Sequence, residues 1–238
     1  MATGPVLILS IDEKRYAGSA APTLSGFKAD IAPGSVTAIL GPSGIGKSTL
    51  LRIIAGIDRN YSGQVTINGQ PAADAAPPGF LFQDPRLLPW LTTSDNVRTA
   101  GKGVSTENAM AALSRTGLAD YANLYPHQLS GGMQRRAALA RALALNAKLL
   151  LLDEPFVSLD RALVEEMYEL IASIAASERP TMILVTHMSE DAARLADRVL
   201  VLSGTPAAIA ADLALPQPRH QRDRNTLDSY RRLIEGAT

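Results

Sequence analysis

The sequence predicts an α/β fold in which helices pack on a parallel-type sheet. Three observations carry that expectation. Stretches at 36–40, 148–153 and 180–186 are dominated by apolar residues at strand length, as in strands buried on both faces. Other stretches have helical period, such as Leu163, Met167, Leu170 and Ile174 within 161–176. The two kinds alternate along the chain, which is how parallel strands are joined. The 238 residues, 46% of them hydrophobic, suffice for a substantial core, as one large domain or a core with a lobe.

In chain order, Val6-Leu7-Ile8-Leu9-Ser10-Ile11 reads as a first strand, and 12–21 as a polar, small-residue loop containing Tyr16. A second strand is expected over 24–31, partnered across a turn at Ala32-Pro33-Gly34-Ser35. The strand at 36–40 runs into a glycine-rich loop and then a helix over 48–55, stopped at Gly56. Ser62-Gly63 opens the next strand, and Asn68-Gly69 marks a hairpin. Residues 71–79 form a Pro/Ala-rich surface connection, followed by a short strand, Phe80-Leu81-Phe82, that ends at Gln83. From about 84 to 145 the texture becomes that of a mostly helical lobe inserted into the core. It holds a loop interrupted by Pro85, Pro89 and Trp90, and a helix start at Thr93. Two further helices are expected there, over 107–115 with Gly117 as its stop and over 133–145 after Gly132. The core resumes with the strand at 148–153, the helix at 161–176 and the strand at 180–186. A helix over 189–196 follows, with Ser189 as its cap and Glu190 and Asp191 in its first turn, and then a last strand over 198–202. The expected organisation is one domain over 1–238: core about 1–83 and 146–205, helical lobe about 84–145, and a charged tail over 206–238 with a short surface helix at 226–235.

Composition removes several function classes. Lys and Arg number 23, as do Asp and Glu, so no strongly basic footprint for nucleic acid is present. The absence of cysteine excludes disulfides and thiol catalysis. No apolar run approaches the roughly 18 residues of a spanning helix. Residues 1–10 lack the basic and apolar regions of a secretory leader. The expectation is a soluble chain whose membrane role would run through a partner.

The chemistry concentrates in Gly41-Pro42-Ser43-Gly44-Ile45-Gly46-Lys47-Ser48, which fits G-x-x-x-x-G-K-[ST], the phosphate-binding loop. Its glycines let the backbone curl with N–H groups inward, and the helix entered at Ser48-Thr49 offers its positive end to phosphate. Lys47 is expected at the β- and γ-phosphates of a nucleotide and Ser48 on Mg²⁺. A second element is Leu149-Leu150-Leu151-Leu152 followed by Asp153-Glu154. The strand delivers Asp153 to the Mg²⁺ shell, and Glu154 can act as general base or orient the attacking water. A third is Leu129-Ser130-Gly131-Gly132-Met133-Gln134, where Ser-Gly-Gly precedes a helix as either a second anion nest or an ordinary Ser-capped start.

With these motifs in this order, the chain resembles the nucleotide-binding subunits of ABC transporters, whose signature begins Leu-Ser-Gly-Gly, over roughly 6–220. Gln83 matches the Q-loop, Asp153-Glu154-Pro155 the end of the B strand, Ser158-Leu159-Asp160 the D-loop, His187 the switch histidine, and Tyr16 the adenine-stacking aromatic. The resemblance implies a P-loop NTPase (RecA-like) core with an N-terminal antiparallel β subdomain and an inserted helical lobe. It implies ATP and Mg²⁺ as cofactors. Tyr16, Gly41, Pro42, Ser43, Gly44, Gly46, Lys47, Ser48, Thr49 and Gln83 would bind the nucleotide, together with Ser130, Gly131, Gly132 and Asp160. Ser48, Gln83 and Asp153 would hold the metal, and Glu154, His187 and Lys47 would catalyse. A stacked aromatic adds about 1 kcal/mol to adenine binding. Asp160 also suits a helix cap. The family works as a head-to-tail homodimer that sandwiches two ATP molecules, closing with ATP and opening after hydrolysis. At Met133 the sequence departs from the usual Gln, as one importer subgroup does.

Leu87-Leu88-Pro89-Trp90, Tyr125-Pro126-His127-Gln128 and Leu215-Pro216-Gln217-Pro218-Arg219 resemble the nitrate/sulfonate/taurine importer ATPases. Leu87, Leu88 and Trp90 form an apolar cluster that serves lobe packing, a groove for a permease's cytoplasmic coupling helix, or both. The partners implied are a membrane permease and, indirectly, a solute-binding protein, with the chain peripheral on the cytoplasmic face of the inner membrane. A soluble ABC-type ATPase uncoupled from transport is the rival reading, and the transported solute is not written in this chain.

Overall fold

The computed structural model describes residues 3–157 and 159–238. Two sheets organise it, and burial pattern decides which strand enters which. β1 (Leu7–Lys14) and β2 (Leu24–Ile31) alternate buried and exposed residues and pair antiparallel, while β4 (Ser62–Ile67) pairs with the other side of β1. β4 turns through Asn68-Gly69, both at positive φ, into β5 (Gln70–Pro71), the two-residue hairpin that Asn-Gly favours. This four-stranded sheet has the order β2-β1-β4-β5. β3 (Val36–Leu40), β7 (Leu149–Asp153) and β8 (Thr181–Thr186) are buried at every position and belong to the six-stranded sheet β10-β9-β3-β8-β7-β6, with β6 at Gly79–Leu81 and β9 at Arg198–Ser203. All pairings in that sheet are parallel except that of β10 (Ala208–Ala214) with β9.

The turn at Ala32–Ser35 therefore crosses between sheets; it does not pair β2 with β3, as a hairpin reading requires. A strand buried on both faces cannot share the one-sided sheet that suits β2. β1 runs three residues past Ile11, to Lys14, because the Lys14 ammonium is held at 2.7 Å by Asp58 and by the Asn60 carbonyl. β9 is not the last strand. The alanine-rich β10 follows it as an edge, so the central sheet continues to Ala214 rather than stopping near residue 205.

Successive residues of β7 enter different clusters. Leu149 and Leu151 pack with α1 (Lys47–Ile54) and the antiparallel sheet, so α1 lies between the two sheets. Leu150 and Leu152 pack with α4 (Gly131–Leu143) and α5 (Arg161–Ser177) on the opposite face. Between β6 and β7 the chain forms α2 (Thr93–Arg98), α3 (Thr106–Arg115) and α4, with Val97, Ala109, Leu113 and Leu139 in their shared core. α6 (Ser189–Leu195) and α7 (Arg224–Glu235) close the remaining face. α7 is not a plain surface helix, since Ile234 is fully buried against Ala38, Val199 and Val201. Ser189 does not cap α6; Met188 holds the cap position, and the Ser189 hydroxyl donates to Glu235 at 2.6 Å. No helix among the described residues is long and apolar enough to cross a membrane.

Candidate functional site

Parallel strands leave their functional loops at one edge, the carboxyl ends. Leu40 of β3 registers with Thr186 of β8, Val185 of β8 with Asp153 of β7, and Leu152 of β7 with Leu81 of β6. The residues that follow these pairs are the loop opening at Gly41, then His187, Glu154 and, two residues past Leu81, Gln83. Four neighbouring strands thus deliver four of the expected motifs to one edge.

The phosphate loop leads into α1 through Gly46 at φ 115°, and no side chain caps the helix there. The first N–H groups of a helix have no partner within it, and such donors are the kind anions select. Gly41 is buried, while Pro42, Ser43 and Gly44 stand on the surface. Lys47 is buried at 5% exposure, and its ammonium donates to the carbonyls of Gly41 at 2.7 Å and Pro42 at 2.9 Å. Burial pushes the Lys47 pKa down, opposed by the charges of Glu154 and Asp153. Glu154 carries one carboxylate oxygen 3.8 Å from the Lys47 ammonium and the other 3.4 Å from His187 Nδ1. His187 itself is 40% exposed.

The Ser48 hydroxyl donates to Asp153 Oδ1 at 3.1 Å. Asp153 is buried, and that burial raises its carboxyl pKa against the hydrogen bond from Ser48. A cavity of about 350 Å³ is lined by Ser48, Asp153, Gln83, Asp84 and Arg52. Hard oxygen donors beside a desolvated carboxylate fit Mg²⁺, which takes one or two carboxylates and leaves its other positions to water and phosphate. Tyr16 sits against the start of α1, its hydroxyl 3.1 Å from Thr49 Oγ1; the Lys14 ammonium lies 4.5 Å over one ring face, and the side chain is 41% exposed.

Ser130, Gly131, Gly132 and Asp160 stand in a second group, with no hydrogen bond to the phosphate loop among the described residues. The two glycines lie inside α4 rather than before it, and Ser130 is the cap, accepting from Met133 N at 3.2 Å. Asp160 caps α5 by accepting from Leu163 N at 3.0 Å. Ser158 lies outside the described residues. Packing joins the group: a Cβ on Gly132 would stand 2.4 Å from Leu163 Cδ1, so Gly132 lets α4 lie against the first turn of α5. Among the described residues, a Cβ on Gly131 would meet nothing within 4 Å. This chain's own packing therefore does not require glycine at 131.

Two supporting features escaped sequence reasoning. Asp191 accepts hydrogen bonds at 2.5 Å from both Tyr168 and Thr186, and Thr186 accepts from Met188 N at 3.0 Å, so both neighbours of His187 are fastened. Arg135 lies buried beside the loops of Gln83 and Glu154. Its signal was legible, because Arg135 shares the i, i+3, i+4, i+7 spacing of Ala138, Leu139 and Ala142 and hence the buried face of α4. A larger groove of about 1100 Å³ between α5, α6 and the C-terminal segment contains none of the expected site residues; its Arg194 and Arg219 are paired with Glu165 and Asp197.

Comparison with known proteins identifies the family. Residues 24–157 match the family described as ABC transporter. Over 236 residues the chain is 39% identical to aliphatic sulfonates import ATP-binding protein SsuB 2 of Burkholderia cenocepacia, covering 97% of this chain and 87% of that protein. It is 45% identical over 207 residues to SsuB 1 of Pseudomonas fluorescens, covering 87% of this chain and 76% of that one. Among solved structures, the dimeric post-hydrolysis ATP-binding cassette MJ0796 bound to ADP and Pi superimposes with a TM-score of 0.77 at 29% identity, covering 87% of this chain and 98% of that chain.

Proposed function

The chain belongs to the ABC transporter family as an import ATP-binding subunit that hydrolyses ATP, and from that premise we propose how its residues divide the work and what it serves. The observation that carries the assignment is Glu154, a carboxylate between Lys47 and His187 at the mouth of a phosphate loop. Hydrolysis of a triphosphate depends on positioning and on charge stabilisation more than on covalent chemistry. Lys47 and the N–H groups at the start of α1 bind the β- and γ-phosphates. Ser48, Asp153 and Gln83 would hold Mg²⁺, which would supply positive charge to offset that of the phosphates. Glu154 orients the attacking water and accepts its proton, and His187 donates toward the γ-phosphate and steadies Glu154. Tyr16 presents its free ring face to adenine.

Ser130, Gly131, Gly132 and Asp160 serve the nucleotide of a second copy. Gly131 supports this reading: the absence of a side chain there answers to nothing among the described residues of its own chain, as expected of a surface that a partner's triphosphate approaches closely. The working unit is then a homodimer sandwiching two ATP molecules, attached to a membrane permease at the cytoplasmic face and served indirectly by a solute-binding protein. Leu87 packs into the lobe core, whereas Trp90 is 69% exposed. The loop that presents Trp90 is stiff, since Asn96 donates to the carbonyls of Leu88, Leu91 and Thr92 and accepts from Leu88 N. That loop is the proposed groove for the permease. The names of the relatives, aliphatic sulfonate import proteins, support a small sulfonate as the solute. The test is hydrolysis by Glu154→Gln. It should bind MgATP and turn over at least about 100-fold more slowly, the scale of removing one group that acts only in the transition state. Wild-type turnover would refute the role of Glu154.

A further inference from the structure

Arg135 has no part in the roles assigned above, yet it touches the loops that carry them. It lies in the second turn of α4 and is 3% exposed. Its guanidinium donates to three main-chain carbonyls: Nε to Pro155 at 3.0 Å, Nη2 to Glu154 at 2.5 Å, and Nη1 to Gln83. These belong to two separate loops, one leaving β6 and the other leaving β7. Among the described residues no carboxylate forms an ion pair with it. A buried cation satisfied only by carbonyls is retained where its fixed fork geometry does something a point charge cannot.

What it fixes is unusual backbone. Glu154 has φ 46°, in the left-handed region that residues with a side chain seldom occupy. Its N–H is anchored to the Val185 carbonyl at 2.9 Å, and its own carbonyl and the next are both taken by Arg135. The turn is pinned from both sides, and that pinning aims the carboxylate between Lys47 and His187.

We propose that Arg135 is a positioning residue that sets the backbone at Gln83 and Glu154 from the helix beginning at Ser130. The proposal rests on the reading of Glu154 and Ser130 given above. In the closed pair, Ser130-Gly131-Gly132 meets the partner's triphosphate, and Arg135 stands one turn along the same helix. Occupancy of the partner's site therefore reaches the water-orienting carboxylate of this chain through one rigid helix and one guanidinium.

The test compares Arg135→Gln and Arg135→Lys with wild type in steady-state MgATP hydrolysis. For Arg135→Gln, kcat falls by about 10- to 100-fold, the scale expected when a catalytic group is misplaced from a distance. KM for ATP stays within about twofold, because the phosphate loop is untouched. Arg135→Lys recovers only part of kcat, and cooperativity in ATP declines in both. Added to Glu154→Gln, Arg135→Gln slows the residual single-turnover rate by less than about twofold, since the two act as one unit. A kcat within twofold of wild type, a loss confined to KM, or a loss that multiplies with Glu154→Gln overturns the proposal. Fast hydrolysis by Glu154→Gln would instead remove the underlying functional reading, so the two failures are distinct. If both Arg135 variants fail to fold, the wild-type chain decides by ¹⁵N NMR: the Arg135 Nε–H should exchange slowly with D₂O, and rapid exchange would refute the fixed guanidinium.

Discussion

Tyr168→Phe isolates the support beneath His187. Tyr168 on α5 donates to Asp191 Oδ1 at 2.5 Å, and Asp191, at the start of α6, is 5% exposed. Phenylalanine keeps the ring contact with Phe156, whose centroid lies 4.4 Å away, and removes only the hydroxyl. One oxygen of a buried carboxylate then loses its donor, which costs about 1.5–3 kcal/mol. For a chain of this size each kcal/mol shifts Tm by roughly 2–4 °C, so a fall of about 3–12 °C is expected at neutral pH. The loss should depend on pH with a definite sign. Burial raises the Asp191 pKa, and the hydrogen bonds from Thr186 and Tyr168 oppose that rise. Removing one of them raises it further. A carboxyl whose folded pKa is above its unfolded value of about 3.9 contributes its full stability below that value and loses it as pH rises through the folded pKa. The penalty of Tyr168→Phe is therefore greatest at neutral pH and shrinks as the pH falls toward 4. Paired thermal melts of wild type and variant at pH 7.5 and 5 test this, and kcat should fall several-fold as the His187 loop loosens. A Tm change under about 1 °C at neutral pH, or a difference that grows on acidification, would refute the reasoning.

Three other expectations are direct. Gly131→Ala should leave Tm unchanged or slightly raised, because its Cβ meets none of the described residues and alanine favours a helix by up to about 1 kcal/mol, while ATP hydrolysis falls sharply. Gly132→Ala should instead lower stability by about 1–3 kcal/mol through overlap with Leu163, measured by chemical denaturation. Trp90→Ala should change the stability of the isolated chain by no more than about 0.5 kcal/mol but reduce co-purification with the co-expressed permease, since the side chain is 69% exposed.

The fold was legible where burial follows pattern. β3, β7 and β8 are strongly apolar and lie where the sequence puts them. The phosphate loop announces itself because its chemistry needs fixed residue types at fixed spacing. What escaped depends on partners distant in sequence. β10 is an alanine-rich edge, recognisable as a strand only once β9 lies beside it. Lys14 reads as a loop residue until Asp58 arrives to neutralise it. The two-sheet division, which turns 32–35 into a crossing, follows from comparing β2 with β3 for one-sided against two-sided burial. The spacing of Arg135 puts it on the buried face of α4, but its main-chain partners, like the hydroxyl partners of Asp191, lie on other elements and leave no local pattern.

The central claim is that hydrolysis takes place between two copies, each supplying half of every site. The most direct measurement is the mass of Glu154→Gln in solution, by light scattering, with and without saturating MgATP. Saturating MgATP should shift the particle from monomer to dimer, and adding Gly131→Ala should abolish the shift. A particle that stays a single chain with saturating MgATP, even at high protein concentration, would contradict the claim.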